Sequence, residues 1–181
     1  MNTSENRAYS IPQGLEVLEG GLGESVIRRS WRTWQAVPIL FFVIFWNGFL
    51  CFWYWKAFTM PRFQWSMVLF PLIHVAVGAG LTYYVIASFV NRTDVILRSA
   101  GVKVVTAPLP WLGNCVVNRE DLTAVLVRKR YGNKGRVYFQ LLYVDRARRE
   151  QTLVRSVSLE EQANFIAQRV RQYFNVPAGE D

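Results

Sequence analysis

The sequence predicts an α+β membrane protein: a transmembrane α-helical hairpin inserted into an antiparallel β-sheet domain, with a C-terminal amphipathic helix. Three observations predict it. Residues 34–55 and 65–90 are two runs without Asp, Glu, Lys or Arg, each longer than the roughly 20 residues a helix needs to cross a bilayer core. After residue 90 the pattern changes to short β-branched runs separated by Gly, Asn, Pro and Asp, which is strand-and-turn chemistry. Beyond Ser158, apolar residues recur every three or four positions, the spacing of a one-sided helix.

Bulk composition sets limits on the remainder. The chain has 181 residues with 21 Lys and Arg against 13 Asp and Glu, a net charge of +8. Its mean hydropathy is only +0.11, so the part outside the two runs is clearly polar. Excess Lys and Arg on the cytoplasmic side of a membrane protein explains the charge, and nucleic acid is not expected as a partner. Cys51 falls inside the first run and Cys115 outside both, so a disulfide is not expected and neither is a metal site.

From the N-terminus, residues 1–13 read as a disordered tail rich in Asn and Ser. Residues 1–33 lack the basic-then-apolar pattern of a signal peptide, so insertion is expected to rely on the spans themselves. Residues 14–30 hold two apolar runs around Gly20, Gly21 and Gly23 and read as a β-hairpin. A lone hairpin is marginal in water, so it is expected to join strands beyond the spans. Arg28, Arg29 and Arg32 with Trp31 and Trp34 mark a membrane interface, and Asn91, Arg92, Arg98 and Lys103 follow the second run. The link between the runs carries only Lys56 and Arg62. The bias places both termini in the cytoplasm, with aromatic residues 53–55, Phe58, Phe63 and Trp65 at the outer boundary.

Two polar side chains stand out within the spans, Asn47 and His74. At a rise of about 1.5 Å per residue they reach similar depth from the outer ends. They are expected to pair by an interhelical hydrogen bond rather than to form a proton or ligand site. Ala76 and Gly80 form a small-xxx-small pair for close helix approach, within the hairpin or to another copy of the chain in a homo-oligomer. Pro71 lies deep enough to kink its helix.

The domain 91–176 begins with two strand patterns around Ser99 to Gly101, followed by residues 108–114, whose Pro108 and Pro110 exclude a central strand. Residues 115–117 are a short candidate strand; 122–130, 136–144 and 150–155 are longer ones. The helix 159–175 carries Leu159, Ala163, Ile166, Val170 and Phe174 on one face, with Ser158 and Glu161 as a capping box. Two N-terminal strands, five or six later ones and a terminal helix plugging the open end of a bent sheet make a pleckstrin-homology-like plan.

Trp46-Asn47-x-Phe49, Asn91-Arg92-Thr93 and Pro108-Leu109-Pro110-Trp111-x-Gly113-Asn114 resemble a group of small bacterial proteins with two membrane spans and a pleckstrin-homology-like cytosolic domain. The resemblance covers residues 15–176. It implies a bacterial inner-membrane location and a binding role, and no catalytic residue transfers from it.

An enzyme is not expected. The only histidine lies in a span, the carboxylates are scattered, and no nucleophile has an activating context. No cofactor is implied. Two binding surfaces are predicted. The first is the loop of Pro108, Pro110, Trp111, Gly113 and Asn114, where Trp111 either meets the interface or plugs the sheet. The second is the basic hairpin of Arg128, Lys129, Arg130, Lys134 and Arg136: if residues 115–117 pair as a strand it faces the membrane and Arg146, Arg148 and Arg149 point away, if not the roles reverse, and a merely solvated strand end is expected ahead of either. The expected function is a non-catalytic scaffold or adaptor binding a protein partner or anionic lipid at the bilayer. The alternative is a small accessory subunit or assembly factor of a larger membrane complex.

Overall fold

The computed structural model describes residues 10–32, 34, 36–62, 64–132 and 135–179; Phe63, Lys134 and most of the expected disordered tail lie outside them. The chain forms two compact units, one of residues 1–30 with 92–181 and the other Trp31–Asn91.

In the first unit, β1 (Leu15–Glu19), β2 (Ser25–Ser30), β3 (Arg92–Arg98), β4 (Gly101–Ala107) and β5 (Cys115–Asn118) form one antiparallel sheet in that order. β2 and β3 are separated by the whole second unit, yet they pair from Ser25↔Leu97 to Ser30↔Arg92. The N-terminal hairpin thus finds its partner beyond the apolar runs, and residues 115–117 pair as a strand against β4. Every second residue along β3 is buried, with half-buried residues between them and exposed ones at the ends, as the period-two pattern requires when one face is buried. β6 (Ala124–Tyr131), β7 (Val137–Val144) and β8 (Glu150–Val157) form a second antiparallel sheet. The β7–β8 register slips twice. At one slip Leu153 joins Val154 in the interior, the local bend a bulge supplies.

The helix α4 (Glu160–Phe174) packs on β6, β7 and β8. Ala163, Ile166, Ala167, Val170 and Phe174 share one core with Ile27, Val95 and Val104 of the first sheet and Val125, Leu141 and Val157 of the second. The expected capping box is corrected: Leu159 is the N-cap, with no side-chain cap bond, and it is exposed rather than on the apolar face. The helix starts one residue too late for Glu161 to stand three positions after a serine cap. Asn175 ends it in a left-handed conformation at φ 51°. Pro177 then accepts from the Val125 N–H and Gly179 donates to the Val125 carbonyl, covering part of the β6 edge.

The second unit holds α1 (Ala36–Thr59), α2 (Trp65–Leu69) and α3 (Leu72–Val90). Ala36, Val43, Leu50 and Ala57 are buried at seven-residue spacing, as are Pro71, Gly78 and Val85; such spacing keeps one seam facing a neighbouring helix. The second apolar run is not one regular helix, because Pro71 has no N–H to give to the Met67 carbonyl. α1 supplies the replacements: Trp53 Nε1 donates to the Met67 carbonyl at 2.9 Å and the Tyr54 hydroxyl to that of Val68 at 3.0 Å. These two aromatics, expected as boundary anchors, cap a broken helix.

The expected Asn47–His74 pair is also corrected. Asn47 Nδ2 donates to the Val43 carbonyl and, at 3.1 Å, to Thr82 Oγ1. Thr82 stands two turns of α3 beyond His74. His74 instead stacks against Trp46 and lies beside Phe70, and its Nδ1 is buried without a hydrogen-bond partner. Close approach of α1 and α3 occurs at Gly78, where a Cβ would meet Asn47 Oδ1 at 3.1 Å and Trp46 Cδ1 at 3.2 Å. Ala76 and Gly80 lie on the exposed side of α3.

Candidate functional site

The loop 108–114 is pinned to the sheet it leaves. Asn114 Oδ1 accepts the Thr106 N–H at 2.8 Å. Gly113, at φ 114°, would place a Cβ 3.3 Å from the Arg155 side chain, so only glycine holds this bend beside β8. Trp111 is partly buried, and Leu112 is the apolar side chain left outside, 81% exposed. Proline spacing drew attention to the tryptophan; nothing local marked Leu112 as the exposed one.

The basic hairpin is not one free cationic patch. Arg128 is bound fork-to-fork by Glu150 at 2.6 and 2.7 Å, an acidic partner 22 residues away that no spacing rule indicates. Arg130 donates to Gln140, and the Lys129 ammonium lies 5.6 Å from the centre of the Tyr131 ring. Arg136 is exposed. Elsewhere, Arg28 is bidentate with Asp94 at 2.9 and 3.1 Å, and this bonding raises its pKa. Arg98 grips Glu24, Arg149 grips Asp145, and Arg146 is bound by Glu120.

Arg29 differs from these. Its register partners are Leu15 on β1 and Thr93 on β3, and Thr93 is opposite Thr106 on β4. The four form one cross-strand row, and Leu15, Thr93 and Thr106 are buried. The next row on the same face is apolar, Val17, Ile27, Val95 and Val104. The polar row is therefore the last one before β2 and β3 run out at Ser30 and Arg92. Thr93 Oγ1 and Thr106 Oγ1 are 3.1 Å apart and hydrogen-bonded. Arg29 has no ion pair among the described residues, and its Nε is buried without an acceptor. Burial pushes its pKa down to about 10. The sequence marks Arg29 as a cation at the membrane interface, and the alternation of β2, counted from Ile27, puts it on the buried face of the sheet.

Cys115 Sγ donates to the Leu153 carbonyl, and burial raises its pKa, which keeps the nucleophilic thiolate scarce. Among the described residues no three His, Cys, Asp or Glu side chains converge to hold a metal ion. No protein-family model matches this chain, and no curated protein sequence matches it.

Proposed function

We propose that this chain is a non-catalytic bacterial inner-membrane protein with both termini in the cytoplasm. Its pleckstrin-homology-like domain binds a protein partner or anionic lipid at the bilayer surface. The observation that carries the reading is the insertion itself. A 24-residue helix and a 26-residue apolar segment, only 17% buried in their most apolar windows, leave from Ser30 and return at Arg92, and these two are register partners. A core helix of a water-soluble domain would be mostly buried. Here Phe41, Ile44, Phe45, Trp55, Phe70 and Ile73 all face outward, an apolar surface suited to lipid tails. Two antiparallel sheets with a C-terminal helix in their common core support the pleckstrin-homology-like assignment. Leu112 and Lys129 are the contacts we favour for a partner, one apolar and one cationic.

The exposed Ala76 and Gly80 favour a second use of the spans, packing against a helix of a larger complex or of another copy. Alkaline carbonate treatment of native membranes, followed by photo-crosslinking from position 112, tests both readings. The chain should stay in the pellet, and the crosslinks should reach a lipid or a stoichiometric protein. Release into the supernatant would overturn the membrane reading.

A further inference from the structure

A cation held away from water without a counter-charge costs a fold free energy. Arg28, one position earlier on the opposite face of β2, has its carboxylate in Asp94. Arg29 has none among the described residues: Nε is closed off and unpaired, and burial alone accounts for its lowered pKa. Its two terminal nitrogens carry no hydrogen bond among the described residues and are not closed off as Nε is. The polar side chains in its row of the sheet are two hydroxyls bonded to each other, Thr93 one strand away and Thr106 two strands away. Thr106 also ties the loop 108–114 to this row through Asn114.

We propose that Arg29, with Thr93 and Thr106 in the same cross-strand row, is a subsite for a phosphate oxyanion. A guanidinium fork with a bonded hydroxyl pair in the same cross-strand row matches a tetrahedral anion with several acceptor oxygens, and partial desolvation strengthens each bond. The proposal rests on the membrane reading for its preferred source, the headgroup of an anionic phospholipid: Arg29 stands two residues before the unit that begins at Trp31. Free phosphate offers the same chemistry.

The test uses the full chain in an uncharged detergent. Its thermal midpoint is followed against inorganic phosphate, dioctanoyl phosphatidylglycerol, acetate, and chloride at matched ionic strength. Both phosphate probes should raise the midpoint saturably, with phosphatidylglycerol acting at lower concentration, while acetate and chloride do not. Equal potency of the two phosphate probes would assign the subsite to free phosphate. Arg29→Lys should weaken apparent affinity by about tenfold or more, the cost of a lost charge-assisted bond, and Arg29→Met should abolish the response. If Arg29→Met does not fold, Arg29→Lys and Thr106→Val carry the test, and unchanged binding in both overturns the proposal. So does a response no larger than that to chloride. Acetate acting as well as phosphate would point to a protein carboxylate and also overturn it. Carbonate extraction separates the two readings: a chain that stays in the membrane yet ignores phosphate loses the subsite alone. A chain that is extracted yet answers inorganic phosphate loses only the lipid source.

Discussion

At the scale of single residues, one charge and one glycine make opposite predictions. Burial holds the Arg29 guanidinium down at about 10, well below the ordinary arginine range. The unfolded chain therefore holds the proton more tightly, and the charge opposes folding at neutral pH by about 3 kcal/mol at roughly 1.4 kcal/mol per pKa unit. This cost disappears as pH rises through about 10 toward the ordinary arginine range, so stability attributable to Arg29 increases across that window. In phosphate-free buffer, Arg29→Met should match or exceed the wild-type midpoint in denaturant, and its pH profile should lack that rise. A variant much less stable at neutral pH would show that the charge has a partner in the fold. Gly101 stands at φ 147°, and a Cβ there would fall 2.1 Å from the Val117 carbonyl oxygen. Gly101→Ala should cost about 2 kcal/mol or more, read as a lower unfolding midpoint. The glycine was legible as a turn residue from its place between two β-branched runs. That β5 crowds it was not, because a backbone contact across sixteen residues leaves no compositional trace.

Among the elements, the second apolar run shows how a local signal became a tertiary device. A proline within a long helix announces lost hydrogen bonds, and that much was legible. Which groups would replace them was not, because Trp53 and Tyr54 act from the other helix, fourteen residues back in each case. Trp53→Phe should destabilise the hairpin by about 0.6–1.7 kcal/mol, the range for polar contacts between membrane helices, measured by unfolding in mixed micelles. In a Pro71→Ala background the Met67 carbonyl regains a backbone donor, so the same substitution should cost less. Equal costs in both backgrounds would show that the two donors do not share that carbonyl. The seven-residue seam of Ala36, Val43, Leu50 and Ala57 was in the sequence as well, hidden by apolar residues on every other face. Gly78 marks where the helices touch; Gly78→Leu should separate them and lower stability, whereas Gly80→Leu, on an exposed face, should not. The α4 face was readable from residues three and four apart, but its cap was displaced by one residue because the exposed Leu159 takes the N-cap position.

For the whole molecule, the decisive feature is that strands 62 residues apart in sequence meet at Ser30 and Arg92. The first unit has its own core, drawn from both sheets and α4. Antiparallel register partners can be joined by a two-residue turn. Replacing residues 31–91 with Asn-Gly should therefore give a water-soluble domain that unfolds cooperatively, followed by circular dichroism and size-exclusion chromatography. An aggregated or non-cooperative product would mean that the β-domain depends on its insertion.

By itself the sequence determined the features set by composition and short period: two apolar helices, alternating strands, a one-sided terminal helix and the break at Pro71. These follow from each residue's own solvation, backbone reach and hydrogen-bonding groups, which act over a few positions. Tertiary structure alone decided which strands pair and which cations are neutralised. It also decided which carbonyls are capped by indole and phenol, and that Arg29, among the described residues, is turned inward without an acidic partner. Each of these depends on partners brought together from distant positions, where a shift of one residue turns a side chain from water to core.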